Sequence, residues 1–442
     1  MGEGARVRAR RAGPEWRRAL RPALVLSAAA ALALPADLGR TGAVSPVARV
    51  AAPAPLMTAP FATPPPAASA SPAPSGQAAP PPTARAAPPT TAAPPVVFTI
   101  AATGDFLAHR PVVARAAAYG RASGRAYDFG PMLEPIAPFV STADLGICHL
   151  ETPLSPDGGG LSGYPVFNVP GELATAIAGA GYDTCSVASN HALDRGDAGV
   201  QATLDVLDAS GVGHAGTARS PEEAAAAVSS PRPVAGVAVA HLSYTYGLNG
   251  LEVPAGQPWL VNLIDAGRIL ADAGAAKRAG ARFVVLSIHW GAEYQTDPTP
   301  EQRALAAELL ASPDVDLILG HHAHVVQPVE RIGDEYVVYG MGNLLSNQTA
   351  RCCPAHSQDG VVVLVTVEVR NETPVVTRVS YHPTWVEPGT YRVLPVARAL
   401  NDPATPPAHR ADLQRSWRHT VAVMSALGAD VHGVVPAETP TA

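Results

Sequence analysis

An α/β fold with a largely parallel sheet is what this sequence predicts, on two observations. From residue 96 onward, apolar runs of strand length alternate with stretches of helix length, the pattern of repeated βαβ units. Polar residues of metal-ligand type then fall near the ends of those runs, where an open α/β sheet builds its sites beyond the carboxyl edge. The most telling end is I-L-G-H-H-A-H at 318–324. There a glycine turns the chain after the apolar run, and His322 and His324, in alternate positions, can aim two imidazoles at one ion.

Taken in order, residues 96–102 read as a strand that runs into Gly104-Asp105. Residues 145–150 are a second, ending at Glu151-Thr-Pro. A helix at 171–180, a strand at 184–188 and the turn carrying Asn190-His191 follow, then a helix at 198–209 and a short strand at 212–215. Residues 234–242 are a strand and 262–279 a helix; the strand 282–288 leads into His289-Trp-Gly. A helix at 300–311 opens with proline, tolerated in the first turn. Beyond His324 the runs at 336–340, 360–369 and 374–382 read as antiparallel strands. Residues 389–442 read as a loose extension with one helix near 411–427.

The amino end differs from the rest. Arginines at 6, 8, 10, 11, 17, 18 and 21 precede an apolar run at 22–36. That run falls short of the roughly 20 residues that span a bilayer and has the basic-then-apolar order of a signal peptide. Trp16-Arg17-Arg18-Ala19-Leu20 loosely resembles a twin-arginine export signal. Residues 1–43 are therefore expected to be a signal peptide or an amino-terminal anchor. No cysteine lies there to carry a lipid. Residues 44–95 hold about a third of the 46 prolines among Ala, Ser and Thr, a disordered linker by composition. The expected address is outside the membrane, at the cell surface or extracellular. An even count of four cysteines permits disulfides there. Cys148 and Cys185, near two strand ends, are placed for one; Cys352-Cys353 carries no further reading. A net charge of −6 without basic clusters in the body argues against nucleic acid as partner.

Ions that activate water need ligands that are ionised or carry a free lone pair, and a carboxylate can bridge two ions. Asp105, Glu151, Asn190, His289, His322 and His324 are enough for two divalent metals. Singly each has a plain role: Asp105 in a turn, Asn190 capping a helix, Glu151 as a loop charge, His289 as a buried histidine. Together those roles require a coincidence at every strand end.

The ordered motifs G-D, H-L-E-T-P, S-N-H-A-L-D-R-G, I-H-W-G-A-E-Y, L-G-H-H-A-H-V-V-Q and Y-G-M-G-N resemble the bacterial capsule-synthesis protein CapA family. That family includes poly-γ-glutamate synthesis proteins. The similarity runs over residues 97–388, which sets one domain at 96–388 and an extension at 389–442. The family looks related to calcineurin-like metallophosphoesterases. The resemblance implies a four-layered α/β/β/α sandwich and two divalent ions, Mn, Fe or Zn, on the six residues above. It implies that His191 faces substrate and donates a proton. Asp194, three residues on, either orients that imidazole or caps a helix. Two positions depart from the family: His149 stands where it usually has Asn, and Ser189 likewise. His149 is then an extra ligand or a group that orients one; His321 varies in the family; Glu293 and Asn343 are candidates for orienting ligands.

Two functions compete on this reading. One is an exported metal-dependent hydrolase of phosphoesterase type, acting on a phosphoester or on an anionic capsule polymer such as poly-γ-glutamate. The other is a non-catalytic metal-binding scaffold within a membrane complex that synthesises the polymer.

Overall fold

The computed structural model describes residues 95–441. The expected export segment and the linker up to residue 94 lie outside the described residues. Two sheets carry the fold. The larger runs in the order Val393–Pro395, Thr373–Val386, Asp359–Arg370, Val97–Phe106, Leu145–Leu150, Thr184–Ser186, Gly213–Ala215. Its last four strands are parallel, and the long hairpin 359–386 adds antiparallel strands, as the change of pattern after His324 predicts. In the six-stranded sheet, Leu317–His321, Phe283–His289 and Val237–Thr245 lie side by side in parallel.

Strand periodicity makes four layers from these two sheets, because alternate residues face opposite sides. Phe283 and Val285 point into a core shared with Ile100, Ala102, Ile147, Leu317 and Leu319, between the sheets. Val284, Leu286 and Ile288 point the other way, onto Ile269, Ala273 and Leu309 of the helices Ala266–Arg278 and Pro300–Leu310. The larger sheet does the same with Cys148 and Leu150, against the helices Arg110–Ser123, Glu172–Gly179 and Gly196–Ala209. The result is the α/β/β/α sandwich. Strands buried on both faces read as unbroken apolar runs, which is why the sequence shows them so clearly. Each such Val, Leu or Ile contributes about 1.5–3 kcal/mol by leaving water.

Three expectations need correction. The strand read at 234–242 is a hairpin: Arg232–Val234 turns through Ala235 and Gly236, both at positive φ, into Val237–Thr245, which ends three residues later than read. The 262–279 helix begins only at Ala266, where Asp265 accepts a hydrogen bond from the Arg268 amide as its cap. The segment after 389 is not loose. Trp385, Val396 and Leu413 form their own cluster, and Met424, Ala429 and Val434 enter the core between the sheets. The helix Pro407–Met424 buries Leu413, Ser416, Thr420 and Val423 at three- and four-residue spacing. Two polar residues on that face hide its periodicity from a hydropathy reading.

Cys148 and Cys185 sit opposite each other on adjacent parallel strands, Cα atoms 4.4 Å apart, and form a disulfide. Among the described residues no helix is long and apolar enough to cross a membrane.

Candidate metal centre

The carboxyl ends of the parallel strands of both sheets open onto one place. Asp105 comes from near the end of Val97–Phe106, Glu151 directly follows Leu145–Leu150, and Asn190 lies in the turn after Thr184–Ser186. From the other sheet come His289, the last residue of its strand, and His322 and His324, just past Leu317–His321. All six are at most 3 % exposed. Two glycines let the strands approach this closely: a Cβ on Gly104 would sit 1.9 Å from the Gly342 carbonyl oxygen, and one on Gly320 1.9 Å from that of Tyr339. Gly320 is thus an in-strand glycine rather than the turn the sequence suggests. The turn comes two residues later, at His322 (φ 88°) and His324 (φ 55°). Left-handed backbone at a non-glycine residue costs on the order of 1–3 kcal/mol and clusters at functional sites. Here it aims both rings inward, 6.1 Å apart at their centroids.

Asp105 is the hub. Its Oδ2 lies 3.1 Å from His324 Nδ1 and accepts from the His322 amide, while Oδ1 lies 3.3 Å from His321 Nδ1. Burial alone would raise its carboxyl, but the His321 and His324 imidazoles beside it hold it well below the usual range. Glu151 lacks such help: both its oxygens are buried without a hydrogen-bond partner, and burial pushes it up to about 7 despite His324, whose Nε2 is 3.6 Å away. Burial would pull His324 down, yet Glu151 and Asp105 raise it to about 9. His322 is driven down to about 3, by burial and then by His324, and its Nδ1 has no partner.

A chain of hydrogen bonds assigns the tautomer of His289. Ser186 Oγ donates to the Cys148 carbonyl (3.2 Å), so it accepts from His149 Nδ1 (2.8 Å). His149 Nε2 is then the acceptor for His289 Nδ1–H (2.9 Å). Burial, then His322 and His149, keeps His289 neutral. Its Nε2 therefore presents a lone pair, at 3.0 Å from Asn190 Oδ1 and 4.0 Å from Glu151 Oε1. Three acceptors facing one another in a buried space are what a cation is needed to reconcile. His149, with both nitrogens engaged, orients His289 rather than ligating. Glu151, His322 and His324 form one tight group of ligand atoms, and Asp105 and His321 lie together in a second with His149 as a neighbour; counted with Asn190 and His289, these donors are enough for two divalent ions.

Beside this centre His191 Nδ1 meets Asp194 Oδ2 at 2.8 Å. Asp194 also accepts from the Phe167 amide and does not cap the following helix, whose cap is Arg195. Asn343 places Oδ1 3.1 Å from His324 Nδ1 and donates to the carbonyls of His324 and Ser357. Glu293 is exposed, makes no hydrogen bond or ion pair to His289, and reaches Glu151 and His324 through charge only. Sequence reading missed Tyr246, whose ring lies 4.6 Å from that of His322, and Asn249, which accepts from Asn190 Nδ2. Tyr246 follows a parallel strand like the other site residues, and reading that strand three residues short concealed it.

A four-layered sandwich with carboxylates and imidazoles converging at two joined strand edges defines the class: an α/β/β/α protein with a candidate dinuclear site. Residues 99–348 match the family model of the bacterial capsule synthesis protein PGA_cap, and the chain belongs to that family. The capsule biosynthesis protein CapA of Bacillus anthracis is 28% identical over 180 residues, 40% of this chain and 43% of that protein. The PGA biosynthesis protein CapA of Bacillus subtilis is 32% identical over 162 residues, 36% and 42% of the two chains. A probable polyglutamine synthesis accessory protein of Mycobacterium tuberculosis is 27% identical over 239 residues, 49% and 60%. The chain thus matches less than half the length of the two Bacillus relatives. Among solved structures, the calcineurin-like phosphoesterase YfkN from Bacillus subtilis aligns over 74% of this chain and 98% of its own, at 13% identity and a TM-score of 0.37. A score that low adds nothing to what the layers and strand order already establish.

Proposed function

We propose that this protein is an exported hydrolase with two divalent ions, acting in the synthesis or anchoring of an anionic capsule polymer such as poly-γ-glutamate. The observation that carries the reading is Glu151: a buried carboxylate with neither oxygen hydrogen-bonded, facing the lone pair of His289. Asp105, Glu151, Asn190, His289, His322 and His324 would hold the ions, with His321 beside Asp105. Bound there, such ions supply Lewis acidity toward a substrate oxygen and lower the pKa of water. Mn, Fe and Zn all suit this nitrogen–oxygen set.

The chain's own residues do the rest. Asp194 holds the His191 Nδ1 proton, so Nε2 is the atom turned to substrate. From there it protonates a leaving oxygen or nitrogen, or steadies charge developing on it. Tyr246, half exposed, stands at the mouth against His322 and His289. Membership of a capsule-synthesis family supports the polymer as target, and the disulfide supports an oxidising, extracytoplasmic address.

One observation favours a second reading, a metal-bearing scaffold of a membrane polymer-synthase complex: every candidate ligand is almost fully buried, as structural sites are. The test is hydrolysis of poly-γ-glutamate and of a generic phosphodiester by protein purified without chelator and loaded with Mn, Fe or Zn. Turnover that His191→Ala removes supports the hydrolase. No turnover by any metal form, with polymer formation in cells intact in His191→Ala, overturns it in favour of the scaffold.

A further inference from the structure

We propose that His356, Asp359 and His419 form a separate cation site, suited to zinc, that ties the C-terminal helix to the loop leading out of the metal centre. The three residues come from two distant stretches: His356 and Asp359 from the turn entering the strand Asp359–Arg370, His419 from the helix Pro407–Met424. Asp359 is 2 % exposed, and its Oδ2 lies 2.9 Å from His356 Nδ1 and 3.4 Å from His419 Nδ1. A tetrahedral zinc with bonds of about 2.0–2.2 Å spaces its donors by about 3.3–3.6 Å; Asp359 Oδ2 stands near that separation from each imidazole, and ligand atoms of the three residues all lie within 4.8 Å of one another.

Ordinary ion pairing does not account for the cluster. The two imidazoles are stacked, centroids 3.4 Å apart and planes 10° from parallel. One carboxylate can neutralise one imidazolium, and two protonated rings at that distance would repel each other. His419 Nδ1 accordingly lacks a well-formed hydrogen bond. Ser416, 1 % exposed on the same helix, turns its hydroxyl toward the Asp359 carboxyl and so helps to hold it in place. A divalent cation would serve both rings and the carboxylate at once, with water in its fourth position. In-plane binding requires the stacked rings to fan apart, which their exposure, 24% and 21%, permits.

The position gives the site a purpose. Ser357, between His356 and Asp359, accepts through its carbonyl from Asn343 Nδ2, and Asn343 Oδ1 meets His324. A cation here would clamp the segment that holds Asn343 in place. The inference stands whether or not the metal centre is catalytic.

The experiment measures zinc per chain in the full-length protein after metal removal and reloading, with and without His419→Gln. This change sits on a partly exposed helical position and keeps a good helix former. The expected result is a loss of one zinc per chain and a smaller zinc-induced rise in Tm. In a His322→Ala/His324→Ala background one zinc should remain, and adding His419→Gln should remove it. Equal zinc content with and without His419→Gln overturns the site. Should the wild type bind a single zinc that His419→Gln abolishes, this site stands and the dinuclear centre falls. If the double background fails to fold, the single substitution decides.

Discussion

The two sheet edges that meet at the candidate metal centre supply different chemistry. The nine-stranded sheet brings oxygen donors, Asp105, Glu151 and Asn190, and the six-stranded sheet brings nitrogen donors, His289, His322 and His324. Neither edge is a competent site alone: one is a set of anionic and amide oxygens, the other of imidazoles whose charged forms burial disfavours. The apolar layer between the sheets, built from residues such as Ile100, Ile147, Val285 and Leu319, is what brings the two together. On the proposed reading, metal affinity is therefore a property of sheet-on-sheet packing, and ions that bound only the packed state would stabilise it by mass action.

If the edges divide labour this way, removing a donor from the oxygen side should separate binding from stability. Glu151→Gln is expected to lose metal and all measurable turnover. Its metal-free form should nonetheless be more stable than the metal-free wild type at pH 7. The sign follows from the shift: a carboxyl raised from 4.5 to about 7 costs stability above its unfolded pKa, by up to about 3 kcal/mol. Metal analysis and denaturant melts check both halves; a less stable metal-free Glu151→Gln would break the comparison.

The next two changes lie outside the ligand set. His191→Ala should keep its metal and lose turnover by about 10²–10⁴-fold, the usual cost of a general acid. Asp194→Asn should cost about 10–100-fold, because it disturbs only the orientation of that imidazole. Steady-state rates beside metal content measure both. Loss of metal in either variant would move His191 into the ligand set.

The change with least effect at neutral pH concerns His241, on the six-stranded sheet away from the ligands, its Nε2 2.9 Å from Ser287 Oγ. Burial, then the charge of His321, lowers it to about 3. Below 6.5 the unfolded chain takes up a proton that the folded chain refuses, so stability falls as pH drops from about 6.5 toward 3, by about 1.4 kcal/mol per unit. His241→Gln should flatten that limb of a pH–stability curve. An unchanged slope would contradict the shift.

Much of this was legible in the chain because the strands are buried on both faces, and their ends could be read from where the apolar runs stop. That placed Asp105, Glu151, His289 and the 322–324 pair at strand ends. What could not be read were features set by tertiary contact: the left-handed backbone at His322 and His324, the in-strand need for Gly320, and the tautomer that Ser186 and His149 impose on His289. The C-terminal helix escaped for another reason, since Ser416 and Thr420 share its buried face with Leu413 and Val423 and blunt the apolar signal. His356 and Asp359 are three residues apart, but His419 lies too far along the chain for any motif to link it to them.

Anomalous diffraction from crystals of the metal-loaded protein, recorded at the Mn and Zn absorption edges, puts the joined-edge centre to its plainest trial. The expected result is two peaks bounded by Asp105, Glu151, Asn190, His289, His322 and His324, with donor distances of about 2.0–2.2 Å. A map with no anomalous peak among those six residues, from protein loaded with either metal at neutral pH, would contradict it.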